Sequence, residues 1–227
     1  MLVLLPDRDR AGRNDYRGAF RPEADRLRVL FQLAESQVLE IPAGAPKATQ
    51  REALRFAVEL ASRGGPLARV LFLCHGESHW LQLGEYRLVE LAELAEVLAP
   101  ALLPAAALTL YCCHTGEVPD DRACRRGGEA SGCGEEGGLA AQLYGALAAL
   151  GLAGVRVDGH ERAGHTTRNP YVRRFDGESP LGRYLVTPGG PLWGRFSARL
   201  HDVNDPLRFT YPSLSDQELA VELGAEL

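Results

Sequence analysis

The chain has 227 residues, of which 45% are hydrophobic, and a formal net charge of −5 at neutral pH. These values are typical of a globular protein long enough for one substantial hydrophobic core. The mild acidity argues against nucleic acid as a main partner, and the sequence lacks the run of about 18 apolar residues that a membrane span requires. We therefore expect one domain over residues 1–227, with no nucleic-acid or membrane partner.

The cysteines and the amino terminus indicate the compartment. Five cysteines are present and two are adjacent, so a full disulfide framework is not expected and free thiols fit a reducing environment. The first residues, Met1 to Asp7, carry no basic segment, and their apolar run is too short for a secretory signal. We therefore expect a cytoplasmic protein.

Apolar periodicity in the first half of the chain predicts alternating strands and helices. The predicted elements are strands over 2–5 and 37–41, followed by the strands 68–76 and 107–116 discussed below, and helices over 23–35, 49–63 and 86–98. Gly64-Gly65-Pro66 and the prolines at 100 and 104 end the second and third helices. This order predicts a mostly parallel sheet with helices on its faces.

The second half of the chain continues the alternation after an interruption. Residues 117–138 are polar, rich in glycine and without periodicity, which predicts a mobile loop. A helix over 139–150, strands over 154–159 and 184–187, and a final helix over 216–223 are predicted, with no clear period from Pro191 up to that helix. The polar segment 164–175 is interpreted as a surface loop or as a substrate-binding loop over a cleft.

Two of the predicted strands end in reactive side chains. Residues 68–76 end in His75-Gly76, and residues 107–116 contain Cys112-Cys113. Sites in open α/β sheets lie beyond the carboxyl ends of the strands, so the histidine and one cysteine can face each other there. Side chains alternate along a strand, so only one of the two adjacent cysteines can meet His75. A thiol beside an imidazole predicts a nucleophile and its base, because the imidazole takes the thiol proton near neutral pH.

This pattern resembles that of caspase-like cysteine peptidases, the group with caspases, metacaspases, gingipains, separases and the bacterial CHAT proteins. The segment Leu110-Tyr111-Cys112-Cys113-His114-Thr115-Gly116 is similar to the Leu-Ser-Ala-Cys-x-Thr-Gly of CHAT proteins, and the resemblance covers roughly Leu27 to Val157. It implies a three-layer α/β/α sandwich of caspase-haemoglobinase type. It also implies Cys113 as nucleophile, His75 as base and the amide of Gly76 as an oxyanion donor. The caspase signature Gln-Ala-Cys-x-Gly is absent, and the spacing from His75 to Cys113 is shorter than the roughly 50 residues usual in caspases.

The resemblance implies a cysteine endopeptidase with a Cys-His dyad and no cofactor, acting on protein or peptide substrates and controlled by a regulatory protein or by processing. Two alternatives stay open. One is a non-catalytic caspase-like binding module in a bacterial signalling or defence assembly, and the other is a different thiol-dependent hydrolase on a similar sheet. Other bases considered for the thiol are His79, His114, His160 and His165.

Zinc binding is the alternative role for the cysteines. Structural zinc sites need paired Cys-x2–4-Cys knuckles, and the spacing of Cys113, Cys124 and Cys133 provides no second knuckle. We therefore expect no metal.

The predictions of substrate preference and of self-cleavage depend on single residues. Asp158, near the carboxyl end of the strand after the cysteine strand, is a candidate substrate-binding carboxylate for an Arg or Lys side chain. The alternatives are a salt bridge with Arg156 and a turn-capping role before Gly159. Arg125 and Arg126, in the loop after the nucleophile, are candidate sites of self-cleavage, the alternative being an uncleaved loop.

Overall fold

The computed structural model of the protein describes residues 1–9, 14–118, 137–211 and 214–225. The strands are β1 (Leu2–Pro6), β2 (Val38–Ile41), β3 (Leu67–Leu73), β4 (Gly76–Glu77), β5 (Trp80–Leu81), β6 (Tyr86–Arg87), β7 (Leu102–Tyr111), β8 (Arg156–His160), β9 (Val172–Asp176) and β10 (Ser179–Tyr184). The helices are α1 (Arg21–Leu30), α2 (Lys47–Ser62), α3 (Leu91–Leu98), α4 (Leu139–Ala149), α5 (Trp193–His201) and α6 (Asp216–Glu222).

A seven-stranded sheet in the order β10-β9-β8-β7-β3-β1-β2 forms the centre of the molecule. The strands from β8 to β2 run parallel to their neighbours, whereas β9 and β10 are antiparallel additions at one edge. The predicted α/β class with a mostly parallel sheet is confirmed. The consequence for function is that β3, β7 and β8 all end at the same edge of the sheet.

Side-chain alternation along these buried strands fills two separate cores. Val70, Phe72 and Cys74 face one core, which the helices α2, α3 and α4 cover. Leu71 and Leu73 face the other core, to which α1, α5 and α6 contribute. The strands are therefore buried on both faces, and helices lie on either side of the sheet in three layers.

Two predicted elements in the second half of the chain need correction, and one helix there was missed. The segment 164–175 is not wholly a loop, because its last residues form β9, in which Val172 and Phe175 are fully buried. The predicted strand 184–187 lies instead at 179–184 as β10. Helix α5 was not predicted at all, although its Phe196 and Leu200 are fully buried.

The predicted helix over 86–98 begins late. Tyr86 and Arg87 form β6, which pairs with β5, and β5 pairs with β4 in a small antiparallel sheet. Helix α3 begins only at Leu91. This small sheet follows His75 directly along the chain, so it forms one wall beside the carboxyl end of β3.

Among the described residues, no helix combines the length and the apolar character needed to cross a bilayer.

Candidate active site

The carboxyl ends of β3 and β7 lie side by side. Leu73 pairs with Tyr111 in parallel register, and His75 and Cys113 each follow two residues later. Two residues along a strand return a side chain to the same face, so His75 and Cys113 share the face of Leu73 and Tyr111. His75 is 7% exposed, and the thiol-bearing Cys113 is partly buried.

The imidazole in contact with the thiol belongs to His165. Cys113 Sγ lies 3.7 Å from His165 Nδ1, and the backbone N–H of Gly164 donates a hydrogen bond to the same sulfur at 3.3 Å. The Gly164 amide is a donor to the sulfur, whereas the tautomer of the imidazole decides whether His165 Nδ1 donates to the sulfur or accepts from it. Sequence reasoning had His165 among the alternative bases, in a segment interpreted as a loop.

Asp15 connects the two histidines. Its Oδ2 lies 3.1 Å from His75 Nε2, and its Oδ1 lies 3.6 Å from His165 Nε2. The two imidazole rings are 5.0 Å apart between centroids. Cys113, His165, Asp15 and His75 therefore form one continuous array, which we call the thiol–imidazole array. The sequence alone does not indicate Asp15, because it lies in an amino-terminal segment where acids and arginines alternate without a recognisable motif.

Phe20 contacts both imidazole rings, and Gln82 binds the backbone of His75. The ring of Phe20, at the start of α1, lies 5.3 Å from that of His75 and 4.8 Å from that of His165. Gln82 forms two hydrogen bonds with the backbone of His75. Its side-chain Oε1 accepts from the His75 N–H at 2.9 Å, and its backbone N–H donates to the His75 carbonyl at 3.1 Å. The first contact restricts both rings, and the second fixes the chain as it leaves β3.

A buried polar network anchors the segment 161–169, which carries His165. The hydroxyl of Thr167 donates to Glu23 Oε1 at 3.2 Å and accepts from Arg208 Nε at 2.8 Å, and Arg208 also pairs with Glu23. The side chain of Asn169 donates to the carbonyls of Arg162 and Gly164, closing the segment on itself. Helix α1 and the chain near residue 208 thereby hold the segment from two sides.

The chain turns sharply after Cys113. His114 has a positive φ of 55°, a conformation uncommon outside glycine. Two residues later, a Cβ on Gly116 would lie 2.2 Å from the carbonyl oxygen of Gly159, and the Gly116 N–H donates to the carbonyl of His160 at 2.8 Å. Only glycine permits this approach between the turn and β8, so the turn has a fixed position relative to the sheet.

Gly76 is required by packing. A Cβ at this position would lie 2.8 Å from Cys112 Cβ and 2.9 Å from Thr115 Cγ2. The space is filled by the side chains of Cys112 and of Thr115 in the turn after the cysteines. This contact places the chain after His75 directly against the chain around Cys113.

The remaining histidines have other partners. His160 is fully buried, its Nε2 lies 2.9 Å from the Tyr211 hydroxyl, and burial lowers its pKa to about 3. His79 lies near Glu77 and His114 near Glu117, and both histidine side chains are substantially exposed. The uncharged, buried His160 forms part of the packing below the array.

Asp158 does not face a pocket. Its carboxylate is fully buried in mid-sheet and accepts from Arg174 Nε at 2.8 Å and Arg174 Nη2 at 3.0 Å. Both carboxylate oxygens are occupied by a buried guanidinium, and the predicted substrate-binding role stays a prediction. The ion pair joins Asp158 to Arg174 of the neighbouring β9, whereas the predicted alternative named Arg156.

Several predicted residues lie outside the part of the chain that the structure describes. These are the candidate cleavage residues Arg125 and Arg126 and the cysteines Cys124 and Cys133. Within the described ranges, no three histidine, cysteine or acidic side chains are grouped in a way that could hold a metal ion. A depression of about 200 Å³, lined by Glu77, His79, Trp80 and Arg87, lies on the small sheet next to Gly76.

No protein family, curated protein or solved structure significantly matches this chain.

Proposed function

We propose that this protein is a thiol-dependent hydrolase of the caspase-like type, acting as a cysteine endopeptidase with Cys113 as nucleophile. The observation that carries the proposal is the contact of Cys113 Sγ with His165 Nδ1 at 3.7 Å, with Asp15 behind that imidazole. Thiol, imidazole and carboxylate in this order are the components of a nucleophile, its base and the group that orients the base. The caspase-like topology is part of the proposal and rests on the sequence resemblance.

The chemistry follows from the array. The imidazole accepts the proton of Cys113, and the thiolate attacks the carbonyl carbon of a peptide bond to give a tetrahedral oxyanion. As the oxyanion collapses, the carbon–nitrogen bond breaks, and the imidazolium returns the proton to the leaving amine. Water, deprotonated by the same imidazole, then attacks the thioester, releasing the acid and restoring the thiol.

We assign the base to His165. In the tautomer with the hydrogen on Nε2, which lies 3.6 Å from Asp15 Oδ1, Nδ1 carries a lone pair that accepts the thiol proton. His75, the base that the resemblance implies, binds the other oxygen of Asp15 and forms the second imidazole of the site. If His75 positions Asp15, its removal should slow the reaction less than removal of His165; if His75 is the base, its removal should slow the reaction more.

We assign oxyanion stabilisation to the backbone amides of Gly76 and Cys113. The tight packing of Gly76 on Cys112 and Thr115 supports this assignment, because it fixes the two strand ends relative to each other. A donor held in advance costs no reorganisation during reaction, and each such donor is worth about 2.7–4 kcal/mol in the transition state.

Asp158, the residue predicted to bind a basic substrate side chain, is fully buried. The depression beside Gly76 is the better candidate for a substrate side chain, because Glu77 and Trp80 line it. Self-cleavage after Arg125 or Arg126 falls outside the described residues and stays a prediction.

One observation favours a binding module as the second candidate. The side chains of His75 and His165 are only 9% and 16% exposed, and residue 164 donates directly to the Cys113 sulfur. A substrate carbonyl reaches the sulfur only if the segment around Gly164 moves. A protein in which that segment never moves would bind partners without hydrolysing them.

Hydrolysis of a fluorogenic peptide library separates the two candidates. We expect turnover by the wild type, none by Cys113→Ala, and most of the wild-type rate in Cys112→Ala, because Cys112 points to the opposite face of the sheet. Activity that survives in Cys113→Ala, or that is lost equally in both variants, would show that the nucleophile is assigned wrongly.

A further inference from the structure

Cys74 and Cys112 form a buried thiol pair that the proposed reaction does not use. Their Sγ atoms are 3.3 Å apart, and both residues are fully buried. They directly follow Leu73 and Tyr111, which are register partners on the adjacent strands β3 and β7. Each precedes a proposed active-site residue, His75 in one strand and Cys113 in the other.

The spacing of the two strands suits a covalent bond between these thiols. Adjacent strands lie about 4.7–4.9 Å apart, and disulfides span Cα separations of about 4.4–6.8 Å. To bond, sulfurs now 3.3 Å apart need to reach about 2.05 Å, a movement that two side chains share. We propose that Cys74 and Cys112 are a modification site, a disulfide-forming pair whose oxidation slows the reaction of the neighbouring Cys113 thiol with electrophiles.

The oxidant is a two-electron acceptor of the azo class or a hydroperoxide. With an azo compound such as diamide, one thiolate adds to a nitrogen of the N=N bond, and the second thiolate attacks the resulting sulfur. The S–N bond breaks as the S–S bond forms, and the two thiol protons end on the two nitrogens of the hydrazine product. A hydroperoxide instead accepts the two electrons and two protons as its O–O bond breaks.

The effect on Cys113 follows from packing. Cys112 Cβ fills the space beside Gly76, and the Cys112 carbonyl accepts from the Thr115 hydroxyl at 3.1 Å. A side chain drawn towards Cys74 therefore shifts the turn that holds Cys113 Sγ against the Gly164 N–H. Burial, followed by the contact with Cys74, raises the pKa of the Cys112 thiol well above its ordinary value, so Cys112 reacts slowly as a thiolate.

The test uses the full chain with Cys124→Ser and Cys133→Ser, which leaves three of the five cysteines. After treatment with diamide and removal of the excess, peptide mapping without reduction identifies the bonded sulfurs. The rate of alkylation of Cys113 by iodoacetamide is measured before oxidation, after it and after reduction with dithiothreitol. We expect a Cys74–Cys112 bond, a severalfold slower alkylation of Cys113, and full recovery on reduction.

The matched controls are Cys74→Ala and Cys112→Ala in the same background, in which diamide should leave Cys113 alkylation unchanged. Recovery of both thiols in free form, a bond that joins Cys113, or a Cys74–Cys112 bond with unchanged Cys113 reactivity would each overturn the proposal. The readout is thiol chemistry, so it is independent of whether the protein hydrolyses peptides.

Discussion

At the scale of single residues, the position of Asp15 makes the protonation of the two active-site histidines interdependent. One carboxylate lies within 3.6 Å of both His75 Nε2 and His165 Nε2, so its single negative charge compensates one imidazolium well and two poorly. In the proposed reaction His165 takes the thiol proton, and its Nε2 then carries positive charge 3.6 Å from Asp15 Oδ1. The arrangement favours a base that gains its charge only during reaction.

His165→Ala should reduce the peptidase rate at neutral pH by about 10²–10⁴, the usual contribution of a general base. The loss should be partly recovered at alkaline pH, because a free thiol ionises without a base at about pH 8.5. His75→Ala should lose less, because Asp15 stays beside His165. Rates of peptide hydrolysis between pH 6 and about 10 measure both effects.

The control for these variants is His201→Ala, which removes an exposed histidine at the end of α5, away from the site. We expect it to retain wild-type activity. The opposite result would identify His75 as the base, as the sequence resemblance implies. In that case His75→Ala would lose most of the peptidase rate at neutral pH and recover it at alkaline pH, whereas His165→Ala would stay nearly active.

Asp158 gives a prediction about stability. Asp158→Ala leaves the buried guanidinium of Arg174 without its partner, and breaking such a pair typically costs about 3–5 kcal/mol. The double variant Asp158→Leu with Arg174→Met should be substantially more stable than Asp158→Ala, because no uncompensated charge remains. Urea unfolding followed by circular dichroism measures both, and a selective loss of turnover on basic substrates in a fully stable Asp158→Ala would restore its substrate-binding role.

His160 gives a pH dependence of stability. Burial lowers its pKa from 6.5 to about 3, so the folded protein keeps the ring neutral where the unfolded chain protonates it. The free energy of unfolding should therefore fall as the pH drops from 6.5 towards 3, by up to about 1.4 kcal/mol per pH unit from this group. The contribution is fully present above pH 6.5.

Urea unfolding of His160→Gln at several pH values isolates this contribution, because the variant lacks the titrating ring and should show a shallower acid slope than the wild type. His201→Gln, at an exposed position at the end of α5, is the control and should keep the wild-type slope. Equal slopes in all three proteins would mean that His160 is accessible to protons in the folded state.

At the scale of elements, the segment 161–169 determines whether the site is assembled, and a few buried contacts fix its position. Thr167→Val keeps the side-chain shape but removes hydrogen bonds to Glu23 and from Arg208. We expect a loss of about 1–3 kcal/mol in unfolding free energy. We also expect a severalfold slower alkylation of Cys113, because Gly164 and His165 lose their fixed positions.

Thr167→Ser should restore much of the reactivity, since the hydroxyl is retained. The control is Thr210→Val, which removes a hydroxyl bonded only locally to the Pro206 carbonyl. If Thr167→Val lost stability but kept the alkylation rate and its pH profile, the network would support the fold without positioning the site.

The elements that sequence reasoning found are those with a long apolar period. Strands β1 and β3 and helices α2 and α4 carry such patterns and were predicted close to their observed positions, whereas β7 begins and ends five residues before the predicted strand 107–116. The strands of the small sheet have two residues each, which is too short for any periodicity. Strand β9 contains two adjacent arginines, and this polar sequence does not predict a buried strand. Arg174 is nevertheless buried, because it pairs with Asp158 on the neighbouring strand.

At the scale of the whole molecule, the class of fold was predictable because the alternation of strands and helices is a local property repeated along the chain. The site was predictable only where a residue lies just beyond the carboxyl end of a strand, as His75 and Cys113 do. Asp15, Phe20 and His165 reach the site from segments distant in sequence. Their meeting depends on how α1 and the segment 161–169 pack on one face of the sheet, which no local pattern specifies.

The central claim is that Cys113 is a reactive nucleophile at the shared edge of β3 and β7. The most direct measurement is covalent labelling with a library of peptidyl acyloxymethyl ketones, followed by tandem mass spectrometry of the labelled peptide. The account predicts an adduct on the Cys113 sulfur in the wild type and none in Cys113→Ala. A wild-type protein that no member of the library labels, or an adduct on Cys112 instead, would contradict it.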